Sequence, residues 1–314
     1  MFFEGAEKKL EILVKNKDLL RNLNGSSFWE ELVNKCDAEI LSKVSNDKLT
    51  AFLLSESSLF VWEDKILMLT CGQTKLINSA HFFINKIGVE NIEGLFFQRK
   101  NEIRSHLQPT DFIKDAETLN DLITGEAIRL GKMHSHHTQI FYSTTPYATK
   151  EGDFTSELLM YDMDSEVIKF LTDENLKKEQ IRKFFRINLL FKDYEIDDFV
   201  FNPYGYSLNG IKEDKYFTIH VTPQETSPYI SFETNIKNIE GGLNQLIEIC
   251  RPFSFDILTF STEDAIKSEF NFGQNYMKAI HMKDRLNTGH NVQFFYYNRK
   301  MEVPEKAFRF QKFI

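Results

Sequence analysis

Apolar and polar positions alternate along much of this chain, and a repeat of two residues predicts β-strands. The pattern is clearest over residues 217–222, where Thr218, His220 and Thr222 share one face of the predicted strand. Further strand-like runs lie at 51–62, 65–71, 94–98, 128–133, 140–143, 198–202, 216–221, 229–234, 253–260 and 291–297. Helical spacing predicts helices at 73–87, 111–123, 165–171 and 239–250. Strands outnumber helices and short turns join many of them, so we predict an α+β protein with largely antiparallel sheet.

Composition narrows the class of protein. The 314 residues are 42% hydrophobic, which is typical of a chain that folds around a substantial core. A net charge of −8 with no basic block argues against binding to nucleic acid or to an anionic membrane surface. Cys36, Cys71 and Cys250 are too few and too widely spaced for a disulfide framework or a cysteine-based zinc site. Since no leader-like or membrane-length apolar run is found, we expect a soluble cytoplasmic protein with one domain over 1–314.

A histidine-rich segment offers a competing interpretation. His134 and His136 would lie on one face of a strand, and Met133-His134-Ser135-His136-His137 is similar to the start of the zinc isopeptidase motif. That motif needs a metal-binding Asp near Tyr147, which here lies between Pro and Ala, and Asp153 comes too late. Because the third ligand is missing, we favour a polar strand edge with exposed histidines and expect no metal.

Small hydroxyl and acidic side chains interrupt the apolar run at 51–61, and other short motifs accompany them. In chain order the motifs are Met1-Phe2-Phe3-Glu4-Gly5-Ala6-Glu7-Lys8, Leu54-Ser55-Glu56-Ser57-Ser58, Leu69-Thr70-Cys71-Gly72, Phe97-Gln98-Arg99-Lys100-Asn101, Phe201-Asn202-Pro203-Tyr204-Gly205-Tyr206-Ser207-Leu208-Asn209-Gly210, Thr218-Ile219-His220-Val221-Thr222-Pro223 and Ser231-Phe232-Glu233-Thr234-Asn235. In this order and at these spacings the set closely resembles the eukaryotic-type S-adenosylmethionine decarboxylases. The resemblance covers roughly residues 2 to 235.

The resemblance implies both a fold and a self-cleavage. Similar proteins form a four-layer α/β/β/α sandwich with two antiparallel sheets. Decarboxylating an α-amino acid needs an electron sink that no side chain supplies, and these enzymes build a pyruvoyl group from their own chain. Ser57 would attack the Glu56 carbonyl, and elimination would then leave chains 1–56 and 57–314. Ser57 would become the covalent pyruvoyl cofactor.

The resemblance also assigns roles to individual side chains. His220 matches the base that removes the Ser57 α-proton, a role suited to a pKa near neutral. Ser207 matches a residue that helps to hold the acyl-shift intermediate, and Cys71 matches the proton donor to the α-carbon. The catalytic set implied in this way is Glu4, Glu7, Ser57, Cys71, Ser207 and His220.

Substrate contacts follow from the same motifs. Phe3 and Phe201 match two rings that sandwich the adenine, a role that suits flat aromatic side chains. The implied substrate-binding set is Phe3, Leu54, Glu56, Phe201 and Gln224. Gln224 departs from the family, whose members usually have Glu there to grip the ribose hydroxyls. A glutamine accepts through one oxygen only, so either affinity is lower or Glu225 substitutes.

A diamine activator is a further expectation. Many animal and fungal relatives bind putrescine at buried acids, and the matching residues here are Glu11, Asp153, Thr155, Glu157 and Glu233. The lysine that usually precedes Thr-Cys-Gly is Leu69 in this chain. Four close carboxylates without that cation would repel one another, so we expect putrescine to raise the melting temperature and stimulate decarboxylation. A basic side chain such as Lys9 or Arg99 would remove that need.

Two function classes remain in view. The first is an active decarboxylase that supplies the aminopropyl donor for spermidine synthesis. The alternative is a catalytically weak or dead paralogue that regulates an active subunit, although a regulatory subunit has no need of Ser57. Expected partners are S-adenosylmethionine, putrescine as activator, and a second copy or a paralogue in a dimer. The sequence does not choose between monomer, homodimer and heterodimer.

Overall fold

A computed structural model of the chain describes residues 3–23, 26–145, 152–224, 226–263, 270 and 272–300. Two eight-stranded antiparallel sheets dominate this part. Sheet one contains β1 (Lys8–Val14), β2 (Ile40–Ser45), β3 (Leu49–Leu54), β4 (Ser57–Trp62), β5 (Lys65–Thr70), β6 (Ile92–Lys100), β7 (Gly125–Gly131) and β8 (His137–Ser143). Sheet two contains β9 (Phe154–Met163), β10 (Glu195–Val200), β11 (Tyr206–Lys212), β12 (Lys215–Thr222), β13 (Tyr229–Thr234), β14 (Pro252–Ser261), β15 (Tyr276–Arg285) and β16 (Asn291–Arg299).

The two sheets repeat one topology. Sheet one has the order β2-β3-β4-β5-β1-β6-β8-β7, and sheet two has the order β10-β11-β12-β13-β9-β14-β16-β15. Adding eight to each strand number of the first order gives the second. The two halves of the chain are therefore structural duplicates, although no repeat is evident in the amino-acid sequence.

Helices cover the outer face of each sheet. Their bounds are α1 (Lys17–Arg21), α2 (Phe28–Asn34), α3 (Leu76–Ile87), α4 (Phe112–Leu122), α5 (Ser165–Leu171), α6 (Lys178–Phe184), α7 (Ile187–Leu190) and α8 (Glu240–Cys250), with short 3-10 turns at Val89–Asn91 and Ser105–Leu107. Aspartates begin two of them, since Asp111 accepts the backbone N–H of Lys114 and Asp164 accepts that of Glu166. The first four helices share an apolar cluster with sheet one, and the last four share one with sheet two.

The space between the two sheets differs from the apolar cores under the helices, because it holds both apolar and polar side chains. Apolar contacts join the sheets at two places, with Phe96 near Phe294 in one cluster and Phe60 near Tyr216 in the other. Between these clusters the facing strands bury charged and hydroxyl side chains. On β1, for example, Leu10 and Ile12 belong to the helix-side core, whereas the alternating Lys9 and Glu11 point between the sheets. The four-layer α/β/β/α sandwich with two antiparallel sheets is confirmed.

Two local predictions are wrong. The run 51–62 is two strands, β3 and β4, joined by a tight turn at Ser55 and Glu56, because these polar residues break the apolar pattern. The predicted strand 128–133 ends at Gly131, and residues 132–136 form the turn that leads into β8. Within the described part of the chain, no helix has both the length and the apolar content needed to cross a membrane.

Candidate active site

The turn between β3 and β4 places Ser57 in an unusual backbone conformation. Leu54 pairs with Ser57 at the end of this hairpin, and Ser57 has φ of 131°. Positive φ in this range suits glycine, and for a residue with a Cβ it costs about 1–3 kcal/mol. Strain of this kind persists only where surrounding structure enforces it. It falls on the residue that the sequence predicts as the nucleophile.

The reacting groups of the Glu56–Ser57 peptide bond lie in contrasting surroundings. The Ser57 side chain is buried, and its hydroxyl has no hydrogen-bond partner. The Glu56 carbonyl accepts the backbone N–H of Cys71 at 3.0 Å and the thiol of the same residue at 3.4 Å. A free hydroxyl therefore stands beside a carbonyl that is already bonded to donors.

His220 is at the centre of a buried hydroxyl cluster on the facing sheet. Its Nδ1 lies 2.9 Å from Ser207 Oγ, and its Nε2 lies 2.8 Å from Thr218 Oγ1. Ser58 reaches across from β4, with its Oγ 3.4 Å from Nε2. Burial lowers the pKa of His220 to about 3, so the imidazole is neutral at physiological pH and the near-neutral pKa expected from the sequence is wrong. The structure thus brings the predicted base next to the residue that follows Ser57.

The Cys71 thiol and the Glu56 carboxyl both have raised pKa values. Exclusion of water from the sulfur, reinforced by the Glu56 carboxylate, raises the pKa of the Cys71 thiol well above its usual range. Desolvation raises the pKa of Glu56 to about 7, although Lys8 opposes the shift. The Lys8 ammonium donates to the Gly72 carbonyl at 3.0 Å and so ties β1 to the residue after Cys71. The thiol at this position carries its proton at neutral pH.

Glu4 and Glu7 have different surroundings. The Glu4 carboxylate accepts the backbone N–H of Arg104 at 3.0 Å and so anchors the loop that contains Arg104. Glu7 is buried, accepts the Ser231 hydroxyl at 2.8 Å and lies 3.5 Å from the Tyr229 hydroxyl. Burial raises the pKa of Glu7 to about 7 and also raises that of Glu4. Both carboxylates lie close enough to raise the pKa of the Cys71 thiol, and Glu7 changes charge near neutral pH.

Glu7 should make stability depend on pH. Its pKa rises from 4.5 to about 7 on folding, so between these values the folded state keeps a proton that the unfolded chain has released. The free energy of unfolding then falls as pH rises through this window and levels off above it. In an uncut Ser57→Ala background, Glu7→Gln removes this dependence, so we expect it to gain about 2–3 kcal/mol over its parent between about pH 5 and about pH 8. Urea unfolding of both proteins measures the gain, and a difference that stays constant with pH would refute it.

The N-terminal segment and Gln224 hold each other. The Gln224 amide oxygen accepts the backbone N–H of Phe3 at 3.0 Å, and its NH₂ group donates to the Phe3 carbonyl at 2.6 Å. The Phe3 ring lies against Gly72, where an added Cβ would be 2.9 Å from the ring and 3.1 Å from the Glu56 carboxylate. Gly72 also has φ of 65°, so the position suits glycine twice over. Gln224 is suited to this contact because an amide both accepts and donates, whereas a carboxylate only accepts.

The two hydrogen bonds between Gln224 and Phe3, which we call the Phe3–Gln224 clamp, predict the effect of placing a glutamate at position 224. Gln224→Glu loses the donor to the Phe3 carbonyl and sets a carboxylate oxygen against it, so the free energy of unfolding should fall by about 1–3 kcal/mol. Gln180→Glu is the matched control, since Gln180 uses only its amide oxygen, towards the backbone N–H of Lys177. The control should be close to neutral in chemical denaturation. Equal stability of Gln224→Glu and wild type would show that the clamp contributes nothing.

Phe201 and Leu54 complete the predicted substrate set. Phe201 is half-buried, packs edge-on to Phe199 at 4.9 Å between ring centroids, and lies with Gly205 near the end of β12. Phe201 and the Phe3–Gln224 clamp therefore both lie near the end of β12. Leu54 is fully buried, backbone included, and its side chain lies in the helix-side core. Glu225 lies outside the described residues.

The acidic cluster expected to bind a diamine is already paired with lysines. Lys9 lies 2.9 Å from both Glu157 and Glu233, and Lys100 also pairs with Glu157. Although burial would raise the pKa of Glu157, Lys100 and Lys9 hold it below its usual value. Burial keeps the pKa of Glu233 raised, and that carboxylate also accepts the Tyr216 hydroxyl at 2.6 Å. The premise of four carboxylates without a cation is wrong, because β1 and β6 supply two.

The other residues expected in the putrescine site lie beside Glu157 and Glu233. Lys65 lies 3.5 Å from Glu11, and Asp153 lies 3.5 Å from His290. A cavity of about 20 Å³ here is lined by Lys9, Glu11, Phe96, Gln98, Asp153, Phe154, Thr155, Phe260 and His290. That volume suits about one water molecule and not a six-atom diamine. Arg99, the other candidate cation, points elsewhere and pairs with Asp115 at 2.7 Å.

The histidine-rich segment has a structural explanation. His136 stacks on Tyr296 with 4.4 Å between ring centroids and lies 3.3 Å from Asp256. His137 is buried, so the expectation of exposed histidines is wrong for it. Among the residues that the structure describes, no group of three or more His, Cys, Asp or Glu side chains could hold a metal ion. Tyr147, at the expected place of the missing zinc ligand, lies outside the described residues.

Sequence reasoning missed several contributors. Ser58 and Thr218 complete the His220 cluster, and Ser231 holds Glu7, yet single hydroxyl side chains in strands carry no distinctive signal. Lys100 lies in one of the motifs, but the resemblance assigns it no role. Its position on β6, two residues along from Gln98, places both side chains on Glu157. Residues two apart on a strand share a face, so the spacing of Gln98 and Lys100 was the signal in the sequence.

Comparison with known proteins gives a consistent result. The family model described as adenosylmethionine decarboxylase matches residues 1–302. The chain is 33% identical to an S-adenosylmethionine decarboxylase proenzyme of Onchocerca volvulus, over 83% of this chain and 77% of the relative. Proenzymes of the same name from Drosophila melanogaster and Trypanosoma cruzi are 31% and 29% identical, over 85% and 97% of this chain and 85% and 90% of theirs. A crystal structure of a Trypanosoma brucei AdoMetDC-delta26 monomer has a similar fold, with a TM-score of 0.60, 22% identity and coverage of 77% of this chain and 99% of that one.

Proposed function

Because the chain belongs to the adenosylmethionine decarboxylase family, we propose that it cleaves itself at Glu56–Ser57 and then decarboxylates S-adenosylmethionine. The observation that carries the proposal is the state of Ser57. Its backbone is strained, its buried hydroxyl is unpartnered, and the adjacent carbonyl accepts from Cys71. These features favour an attack of the Ser57 hydroxyl on the Glu56 carbonyl, because strain is relieved and the developing oxyanion has donors.

Self-cleavage would proceed in two stages. In the first, Ser57 Oγ bonds to the Glu56 carbonyl carbon, the amide C–N bond breaks, and the serine nitrogen gains the hydroxyl proton. The Cys71 donors stabilise the charge that develops on the carbonyl oxygen. In the second, the Ser57 α-proton leaves and the Cβ–Oγ bond breaks, which releases residues 1–56 as a carboxylate. Water then replaces the nitrogen at position 57, which departs as ammonia, and a pyruvoyl group remains.

His220 is the base we assign to the second stage. It is neutral, buried and within 3.4 Å of Ser58, the neighbour of Ser57. A neutral imidazole can accept the α-proton, whereas an imidazolium cannot. Ser207, 2.9 Å from the ring, orients it.

The residues of this chain fit the pyruvoyl group that such cleavage makes. The carbonyl of that group supplies the electron sink that side chains lack. Cys71, whose raised pKa keeps its thiol protonated, is suited to donate a proton to the substrate α-carbon. Glu7 and Glu56, each with a pKa of about 7, would add negative charge near a cationic sulfonium as pH rises.

Substrate recognition is proposed for the end of the sandwich near Gly72. Phe3 and Phe201 offer aromatic faces for the adenine, and aromatic faces also favour a positive sulfonium. Gln224 would act mainly by holding Phe3. Leu54 would support the site from the helix-side core, and Glu56 would become a chain terminus after cleavage.

The pairing of the acidic cluster changes the expectation for putrescine. Lys9 and Lys100 occupy the charge-compensating role, and the adjacent cavity suits about one water. We therefore propose that the active conformation needs no diamine. Homodimer, paralogue heterodimer and cytoplasmic location stay predictions.

Release of labelled carbon dioxide from carboxyl-labelled S-adenosylmethionine by the purified chain alone tests the proposed activity. We expect turnover without added metal or putrescine, and its loss after treatment with borohydride plus substrate. No turnover by protein that has cleaved itself would favour the regulatory-subunit alternative. Restored turnover on adding a paralogous subunit would establish that alternative.

A further inference from the structure

Asn209, which is fully buried on β11, lies where the two sheets meet beside His220. We infer that Asn209 is a positioning residue that fixes the proton of His220 on Nε2 and leaves Nδ1 as the basic nitrogen. The inference deepens the proposed function, because it rests on His220 as the processing base.

The orientation of the Asn209 amide is set from the opposite sheet. Its Nδ2 donates to the backbone carbonyl of Phe52 on β3, at 3.2 Å. A flipped amide would set its own oxygen against that carbonyl oxygen, which is unfavourable. The Oδ1 atom must therefore face the His220 cluster.

Two hydroxyl groups converge on this oxygen. Ser58 Oγ lies 2.7 Å from Asn209 Oδ1, and Thr218 Oγ1 lies 3.0 Å from it. An amide oxygen can only accept, so each hydroxyl donates its single proton to Asn209. Neither hydroxyl then has a proton left for another acceptor.

The tautomer of His220 follows from this. Thr218 Oγ1 is 2.8 Å from Nε2 and can now only accept, so Nε2 must carry a proton. The imidazole is neutral because burial lowers its pKa to about 3, and it therefore has one proton only. Nδ1 is left with its lone pair, and Ser207 Oγ, 2.9 Å away, donates to it. This assignment comes from the partners, which is how tautomers are inferred when hydrogens are not seen.

The assignment gives Asn209 a function in self-cleavage. Because Nε2 is protonated, a proton that leaves the Cα of Ser57 can enter the ring only at Nδ1, by passing to Ser207 Oγ as Ser207 gives its own proton to Nδ1. If the Asn209 oxygen is lost, the Thr218 and Ser58 hydroxyls are free to donate to Nε2, and the proton moves to Nδ1. Elimination should then slow about tenfold, the size expected for one lost net hydrogen bond, while the ester still forms.

Nitrogen-15 NMR of histidine-labelled Ser57→Ala protein tests the tautomer directly. The eight histidines allow assignment of His220 by a spectrum of Ser57→Ala/His220→Gln. We expect a protonated Nε2 and a bare Nδ1 in Ser57→Ala, and a shift towards protonated Nδ1 in Ser57→Ala/Asn209→Leu. A protonated Nδ1 in Ser57→Ala would overturn the inference, and this first spectrum decides even if the Asn209 variant does not fold.

Processing of the single variant Asn209→Leu supplies the second readout. We expect uncut chain that hydroxylamine cleaves, which marks an accumulated ester. Asn235→Leu is the control, because Asn235 also ties two parts of sheet two together, through the backbone of Tyr216 and Asp214. It should lose stability without accumulating ester. Ester accumulation to the same extent in both variants would reduce Asn209 to a structural role, whereas failure of wild type to cleave would defeat the proposed function and leave the tautomer result intact.

Discussion

Replacing Ser57 with alanine is expected to leave the purified protein as one uncut, inactive chain. The variant lacks the only hydroxyl that can reach the Glu56 carbonyl from within the same peptide unit. His220→Ala should behave differently. It keeps the nucleophile and the Cys71 donors, so the ester forms, but no group removes the Ser57 α-proton and elimination stalls. A denaturing gel separates these states from the cut wild type.

Hydroxylamine distinguishes the two variants, because it attacks esters and spares amides. It should cleave His220→Ala at Glu56–Ser57 without making a pyruvoyl group, and it should leave Ser57→Ala whole. Ser55→Ala is the matched control. Its hydroxyl accepts the backbone N–H of Glu39 and takes no part in cleavage, so the variant should cut normally. If hydroxylamine leaves His220→Ala intact while wild type cuts, the base role of His220 is wrong.

Lys9→Met is expected to lower the free energy of unfolding by about 3–5 kcal/mol. The substitution removes the ammonium that lies 2.9 Å from Glu157 and Glu233, and a buried charge that loses its partner is costly. The substitution leaves Glu233 without its lysine and opens a space about the size of the lost ammonium. An ammonium ion fits that space, so an ammonium salt should raise the melting temperature of the variant more than the same concentration of a sodium salt.

The wild-type protein and a surface variant provide the comparison. Putrescine should change neither the melting temperature nor the turnover of wild type, because Lys9 and Lys100 already compensate the acids. Lys17→Met removes a lysine that pairs with Glu63 on the exposed surface, so it should have little effect. Stimulation of wild type by putrescine would contradict the account of internal compensation.

The sequence predicted helices and strands well where their buried faces are apolar and poorly where their buried faces are polar. Helices α3, α4, α5 and α8 and the strand β12 were predicted closely, because their buried faces are apolar and the period is plain. Strands β1, β2, β9, β11 and β15 were missed. On β1 the inward face carries Lys9 and Glu11, so a fully buried strand has the polarity of an exposed segment. The family match over residues 1–302 confirms the resemblance that the motifs carried.

The candidate site was predicted residue by residue but not as an arrangement. The motifs indicated Ser57, Cys71, Ser207 and His220, which lie on four different strands or strand ends of two sheets. Their mutual distances depend on how the sheets stack, and no local pattern encodes that. The compensation of Glu157 by Lys9 was missed as a firm prediction for the same reason, since the two residues are far apart in sequence and meet only between the sheets.

The mass of the freshly purified wild-type chain under denaturing conditions tests the central claim most directly. The account predicts two polypeptides, residues 1–56 and 57–314. The second should be lighter by one ammonia than the same chain with a free serine at its start, because a pyruvoyl group replaces that serine. A single intact chain of 36.9 kDa, or a cut chain that begins with unmodified Ser57, would contradict the account.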